Sequence, residues 1–393
     1  MTLVDVVVIV LALGAAARGW RRGLLGQVFE LGGGFVGLVA GVAVGPRVAS
    51  AVTSEAGLNA ALIALVVVLV GLSAGQAVGF ALGHRFGSFA RRARLGSADS
   101  LLGSAFGVAM TLVAYWLLGS LLANGPFRSL SQQLSSSPVL RTLNGVTQPP
   151  DVLAYVQQYL NTSKFPQVFT GLPPPVSGPV ALPPSGRARR ATVAAAGSTL
   201  RVVVPGCGGI QLGSAWISGR HSAVTNAHVV AGGSDVRLQG RNGTYTGSVV
   251  LFDPRTDIAV LRTEQPLAGE PLRLLSGFVN RGAQGVTLGY PGDAGRALDA
   301  MPAAVRARFE ARGLDIYGRS PVGRDVYQLR ASVREGDSGG PFVLPGGRVA
   351  GVVFAASTTA PDTGYALTAP EVSDEVALGM RARRAVPTGR CTH

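Results

Sequence analysis

Lysine is almost missing from this chain. Lys164 is the single one in 393 residues, so the net charge of +14 rests on arginine. Charged residues of all kinds reach only 14%, where a soluble protein carries about 25%. That deficit argues against a wholly water-exposed chain and places part of it in lipid. Aromatic residues are equally scarce, at 6%, so no stacking platform accompanies the positive charge. No nucleic-acid motif accompanies it either. Arginine clusters that orient membrane helices explain the sign instead, and nucleic acid is not expected as a partner. Four histidines and two cysteines are too few, and wrongly spaced, for a zinc site. No metal or other cofactor is expected. Cys207 and Cys391 are either two unpaired buried thiols or, in an oxidising compartment, one disulfide.

What is abundant is apolar sequence near the start. Residues 1–125 fall into four segments, roughly 3–19, 24–45, 58–82 and 100–123. The last three are long enough to cross a hydrocarbon core of about 30 Å. The first lacks the basic start and small-residue cleavage site of a signal peptide, which predicts that it is retained. Arg18, Arg21 and Arg22 lie between segments one and two, and Arg85, Arg91, Arg92 and Arg94 between three and four. The intervening loop has only Arg47, offset by Glu55. The basic loops should face the cytoplasm, leaving the N-terminus and everything after Gly125 outside. The second segment has Gly32, Gly33, Gly34, Gly37 and Gly41. These either permit close helix contact or reflect the frequency of glycine in membrane helices. Gln27 and Glu30 raise transport as an alternative function, although the polar stripe is thin. From Asp5 through the Arg18–Gly23 turn to the glycine-rich second helix, the segment resembles the colicin V production family of four-helix membrane proteins.

A stalk and linker follow, at 126–190. Its early part looks helical in pieces, broken at Pro138 and at Pro149-Pro150. Residues 171–186, GLPPPVSGPVALPPSG, read as a stiff, solvated spacer and a candidate for self-cleavage. From about 199 the pattern changes to short β-branched runs between Gly, Pro, Asn and Asp turns. Strands are predicted at 200–204, 214–217, 223–225, 236–239, 246–252, 258–262, 285–289, 326–332, 341–344, 349–355 and 365–368. That pattern suits two small antiparallel barrels, with a closing helix near 370–384. The fold class is therefore an N-terminal four-helix transmembrane domain followed, over 191–393, by an all-β double barrel of the chymotrypsin kind.

Three motifs in this half carry chemistry. Gly336-Asp337-Ser338-Gly339-Gly340-Pro341 surrounds a serine with glycines. These let the backbone fold tightly enough for the amides of Gly336 and Ser338 to hold an oxyanion. Alone it could be a glycine-rich hairpin. Thr225-Asn226-Ala227-His228-Val229-Val230 places a histidine just beyond a strand, where it could serve as general base. Asp253-Pro254-Arg255-Thr256-Asp257-Ile258 sets an aspartate at the head of an apolar strand. Asp257 would orient the imidazole, while Asp253 is the rival or a turn cap. The order His, Asp, Ser is that of chymotrypsin. The set predicts an acyl-enzyme serine endopeptidase, the alternative being a non-catalytic binding module on the same fold.

Residues 199–369 resemble trypsin-like peptidases of the HtrA branch. The 55 residues after Ser338 leave no room for a PDZ domain. No Ile-Val-Gly-Gly start exists to pair with Asp337. Anchor, Pro-rich linker and PDZ-less protease together resemble the actinobacterial acid-resistance periplasmic serine proteases, a match strengthened by Ala304–Arg308 and Gly313–Gly318. This resemblance implies a role in acid and oxidative stress tolerance. It implies envelope proteins as substrates, peptidoglycan hydrolases among them, and a disulfide joining Cys207 to Cys391. It also implies a primary specificity pocket with Ser332 at its base, Phe354, Ala355 and Ala356 along one wall and Gly364 on another. With no acid at its base, the pocket should prefer uncharged side chains.

Overall fold

A computed structural model describes residues 2–53, 58–92, 96–123, 128–146, 176–241, 243–292, 297–357 and 360–392. The chain divides into two compact units, the first built on Met1–Leu118 with Ser137–Leu140 and the second on Gly119–Ser136 with Arg141–His393.

In the first unit, helix α1 (Leu3–Val52) is opened by a capping box in which Thr2 and Asp5 satisfy each other's backbone amides. α2 (Leu58–Arg92) and α3 (Gly96–Leu122) follow. Among the described residues, three helical stretches are long and apolar enough to cross a membrane, Leu3–Val52, Leu62–Phe86 and Gly96–Leu122. The first two of the four expected segments lie within α1, which breaks at Gly23 (φ 72°, ψ 169°). Asp99 fills the space where a Gly23 side chain would be and accepts the Leu25 amide at 3.1 Å. It thereby caps an amide that the break releases. Gly33, Gly37 and Gly41 share one face of α1 and meet Gly71, Gly75 and Gly79 of α2. A Cβ on Gly37 would stand 2.1 Å from the Gly71 carbonyl oxygen, and one on Gly75 2.2 Å from that of Gly33. Here the glycines serve backbone contact, whereas Gly32 faces open space. Gln27 donates to the Gly103 carbonyl at 2.7 Å and Glu30 pairs with Arg22, so both polar groups of this helix have partners. Arg94 and Glu55 lie outside the described residues. Two short helices follow, α4 (Arg128–Ser136), which belongs to the second unit, and α5 (Pro138–Val146), whose start through Leu140 belongs to the first. Ser137 starts α5 by accepting the Leu140 amide at 3.0 Å.

The second unit carries the β half. Strands β1 (Thr199–Gly206), β2 (Gly209–Gly219), β3 (Ser222–Thr225), β4 (Val236–Gly240), β5 (Gly243–Asp253) and β6 (Ile258–Thr263) close into one antiparallel barrel in the order β1-β2-β3-β6-β5-β4. β7 (Gln284–Gly289), β8 (Asp299–Leu314), β9 (Pro321–Arg330), β10 (Pro341–Val343), β11 (Val349–Ala356) and β12 (Thr363–Thr368) close the second, ordered β10-β11-β12-β9-β8-β7. Closure removes every open sheet edge. One apolar cluster runs through both barrels, joining Trp216, Val224 and Val260 to Val286, Val352 and Phe354. β8 was not among the predicted strands. Its Ala- and Arg-rich sequence has little β propensity, and pairing with both β7 and β9 holds it extended.

The Pro-rich segment is not a solvated spacer over its described part. An extended backbone without internal hydrogen bonds leaves its polar groups unpaired, and the second barrel supplies partners. The Ser177 amide donates to Gln328 at 2.8 Å. Arg281 donates to the Gly178 carbonyl at 2.8 Å, Arg330 to that of Val180 at 2.7 Å and Gln284 to that of Ala181 at 3.1 Å. The strap leads into helix α6 (Ser185–Ala195), which buries Ala191 and Ala195 against the core. Residues 147–175, with the Pro149-Pro150 break and the start of the linker, lie outside the described residues. A one-turn helix, α7 (Ala227–Val230), lies between β3 and β4. The closing helix α8 (Ala369–Arg381) is capped by Thr368 and buries Val372 and Val376.

Candidate active site

His228 and Asp257 come from the first barrel. β3 is buried throughout and ends at Thr225, whose hydroxyl donates to the Ser214 carbonyl at 2.7 Å. Asn226 is extended, α7 begins after it, and His228 is the second residue of that turn. Across from it, Asp253 accepts the Arg255 amide at 2.9 Å, the Thr256 amide at 3.2 Å and the Thr256 hydroxyl at 2.5 Å. Asp253 is thus occupied in closing the turn. Asp257 emerges with φ 63°, a left-handed conformation uncommon for an aspartate. Asn226 holds it there by donating to its carbonyl at 2.8 Å. Asp257 is fully buried and spends both carboxylate oxygens on one residue. Oδ1 accepts the His228 amide at 2.9 Å and Oδ2 faces His228 Nδ1 at 2.7 Å. Against a carboxylate, Nδ1 must carry the proton. Nε2 is then the basic nitrogen.

Ser338 comes from the second barrel, in the turn between β9 and β10. The Asp337 amide donates to the Arg334 carbonyl at 3.0 Å and the Gly340 amide to that of Asp337 at 2.9 Å. The Asp337 carboxylate accepts the Arg334 amide at 2.8 Å. A local amide therefore satisfies a group that in digestive enzymes would await a new N-terminus. Gly336 and Gly339 have φ of 96° and 84°. A Cβ on Gly339 would stand 2.1 Å from the Ser214 oxygen, so only glycine fits. Among the described residues, neither the Gly336 nor the Ser338 amide donates to another group.

Ser214 of β2 joins the two halves. Its amide donates to the Ser338 carbonyl at 2.8 Å. Its hydroxyl donates to the Gly336 carbonyl at 2.7 Å and accepts the Tyr290 amide at 2.8 Å. Strand patterning places Ser214 in a strand but says nothing of this role, which depends on pairing across 122 residues. His228, Gly336 and Ser338 consequently line one cavity of about 410 Å³, together with Ile210, Leu212 and Thr392.

The residues expected around the primary specificity pocket lie on β11, β12 and the turn before Ser338. Phe354 and Ala355 are fully buried in the core, because β11 is covered on both faces and carries a bulge between Val353 and Ala355. Their side chains point into the core. Only their backbone can border a pocket. Ala356 pairs with Gly364, and a Cβ on Gly364 would stand 2.3 Å from Val333 Cγ2. Val333, which sequence reasoning missed, thus occupies the space beside Gly364. Ser332 is half-buried. None of the five lines the cavity beside Ser338. Among the described residues no cluster of His, Cys, Asp and Glu would hold a metal.

Cys207 and Cys391 are joined, with sulfurs 2.09 Å and Cα atoms 5.7 Å apart. Cys207 sits in the β1–β2 turn with φ 54°. The tail that carries Cys391 lies along the first barrel. The Gly232 amide donates to the Thr388 carbonyl at 3.1 Å, and the Val386 amide to that of Val249 at 2.8 Å. Cys207 and Thr392 both border the cavity.

Residues 4–148 match the colicin V production protein family, and residues 213–352 match the trypsin-like peptidase domain. Serine protease Rv3671c of Mycobacterium tuberculosis is 36% identical over 394 residues, covering 98% of this chain and 98% of that protein. Mitochondrial serine protease HTRA2 of Bos taurus is 36% identical over 133 residues, which cover 33% of this chain and 28% of that one. The crystal structure of the Rv3671c protease in its active form is similar at a TM-score of 0.53 and 36% identity, covering 56% of this chain and 97% of that chain.

Proposed function

Since this chain belongs to the family of membrane-anchored serine proteases in which a colicin V production domain precedes a trypsin-like peptidase domain, we propose that it hydrolyses proteins of the cell envelope through an acyl-enzyme on Ser338. In this reading His228 Nε2 takes the proton of the Ser338 hydroxyl as it attacks the scissile carbonyl. The Gly336 and Ser338 amides stabilise the oxyanion. The imidazolium, steadied by Asp257, then protonates the leaving amine, and water repeats the sequence on the ester. The observation that carries the reading is the pair of Asp257 contacts to His228, at 2.9 and 2.7 Å, beside a cavity that His228 shares with Ser338.

The topology belongs to the same reading. The break at Gly23, next to Arg18, Arg21 and Arg22, supports a turn between two crossings, hence four in all, with the basic loops cytoplasmic. The N-terminus and protease would then be extracytoplasmic. The division into anchor (1–125), stalk and linker (126–190) and protease (191–393) follows, with the strap at 177–182 seated on the protease. Envelope proteins, peptidoglycan hydrolases among them, are the substrates this location offers, and acid and oxidative stress tolerance is the role. The primary pocket that the resemblance implies, with Ser332 at its base, has no acid there and favours uncharged side chains. Self-cleavage within the linker belongs to the same reading.

The test compares envelope fractions carrying the native chain and Ser338→Ala by N-terminal proteomics, with fluorophosphonate labelling in parallel. New termini after uncharged residues and labelling only of the native chain are expected. A Ser338→Ala chain that still cleaves or labels would overturn the reading.

A further inference from the structure

Behind Asp257 stands a cation that no motif announces. Arg324 lies on β9 in the second barrel and is only 2% exposed. Its Nε donates to the Arg255 carbonyl at 2.7 Å and its Nη1 to the Leu314 carbonyl at 3.1 Å. Arg255 is two residues before Asp257, inside the turn that Asp253 closes. The guanidinium therefore reaches out of one barrel to grip the loop of the other that presents the aspartate. The contact is reinforced where the Ile316 amide donates to the Pro254 carbonyl at 3.1 Å.

Packing alone does not account for an arginine here. Burying a guanidinium is costly unless its charge and its donors are matched. Nη2 is buried and has no hydrogen-bond partner among the described residues. Compensation comes instead from charge. Asp257 and Asp253 face Arg324 from the turn, Asp315 from the β8–β9 connection and Glu371 from α8. Of these Asp257 acts on it most strongly. Burial pulls Arg324 below the usual guanidinium range and the four carboxylates oppose that pull. An arginine stays charged at any working pH. Three of the acids are also committed locally. Asp253 caps its turn, Asp315 accepts the Tyr317 and Arg319 amides, and Glu371 accepts the Asp325 amide. Asp257 is the one whose other commitment is to His228.

We infer that Arg324 is a positioning residue for peptide hydrolysis, gripping the 255–257 turn and placing a buried positive charge behind Asp257. The inference rests on the triad proposed above. A turn that lets Asp257 drift misaligns the imidazole as the proton moves, so the loss falls on kcat rather than on KM.

The test uses the full-length chain in detergent, as Arg324→Lys and Arg324→Met, with kcat and KM measured on a peptide substrate. Both variants should lose about 10- to 100-fold in kcat, as a misplaced catalytic group does, with KM within about twofold. In an Asp257→Asn background, where the imidazole has already lost its carboxylate, adding Arg324→Met should lower kcat by less than about twofold more, because the two residues act through one another. Wild-type kcat in either variant would overturn the inference, and so would a full further rate loss in the Asp257→Asn background. If the Met variant does not fold, the kcat of the Lys variant decides. Residual cleavage by Ser338→Ala would instead defeat the triad reading itself, so the two failures are distinguishable.

Discussion

Replacing Ser214 by alanine should damage catalysis more than its distance from the reacting atoms suggests. The hydroxyl is buried between two backbone groups, the Gly336 carbonyl at 2.7 Å and the Tyr290 amide at 2.8 Å. Alanine fills nearly the same space and leaves both without a partner. Each such orphan costs about 1–3 kcal/mol, so stability should fall by about 2–6 kcal/mol. That is a sizeable part of the 5–15 kcal/mol typical of a domain, so kinetics are measured well below the lowered Tm. The catalytic effect has a separate origin. The 336–337 peptide lies between the two amides assigned to the oxyanion, and the Ser214 hydroxyl fixes its orientation. If that peptide turns, one donor loses its aim, which typically costs about 3 kcal/mol of transition-state stabilisation, or roughly a hundredfold in kcat. The oxyanion exists only in the transition state, so KM should hardly change. Steady-state kinetics on a peptide anilide, with thermal unfolding alongside, separates the two effects. A Ser214→Ala enzyme with lowered Tm but native kcat would refute the idea that this hydroxyl orders the oxyanion turn.

Two further outcomes can be checked on the same samples. Cys391→Ser opens a loop of 184 residues and should lower stability by about 5 kcal/mol at most in the chain-entropy model. An unchanged Tm would mean that the tail is held by its other contacts alone. Glu375→Gln should raise Tm at pH 7 but not at pH 3. Burial, with Asp253 and Asp374 nearby, holds the Glu375 carboxyl above the usual carboxylate range. The folded chain therefore binds this proton more tightly than the unfolded chain, and ionisation costs stability as pH rises from about 4.3, the ordinary glutamate value. An equal gain at both pH values would show that the charge is not responsible.

The residues that announced the site are those whose neighbours had to be unusual. Ser338 needs glycines on both sides because positive φ and backbone contact at 336 and 339 exclude a side chain. His228 and Asp257 each stand where a buried strand meets a turn, which alternating hydrophobicity reveals. The illegible residues act through partners far away in the chain. Ser214 looks like any small strand residue, Arg324 like any arginine in a basic protein, and Val333 like core. Only the pairing of the barrels gives them work. β8 was lost for a related reason, its alanines and arginines being extended by their neighbours rather than by their own preference. The break in α1 could be suspected from Gly23 and the arginines around it. Its partner Asp99 could not, being 74 residues distant from the Leu25 amide that it accepts.

The strap at 177–182 has a mechanical meaning. Arg281, Gln284, Arg330 and Gln328 hold it by bonds spaced along its length. A tug arriving along the chain from upstream would be resisted by these bonds together, in shear, on the barrel that carries the nucleophile. It would spend itself there before reaching the histidine, moored on the other barrel. Severing the chain ahead of the strap would free the enzyme from its tether and leave this mooring intact.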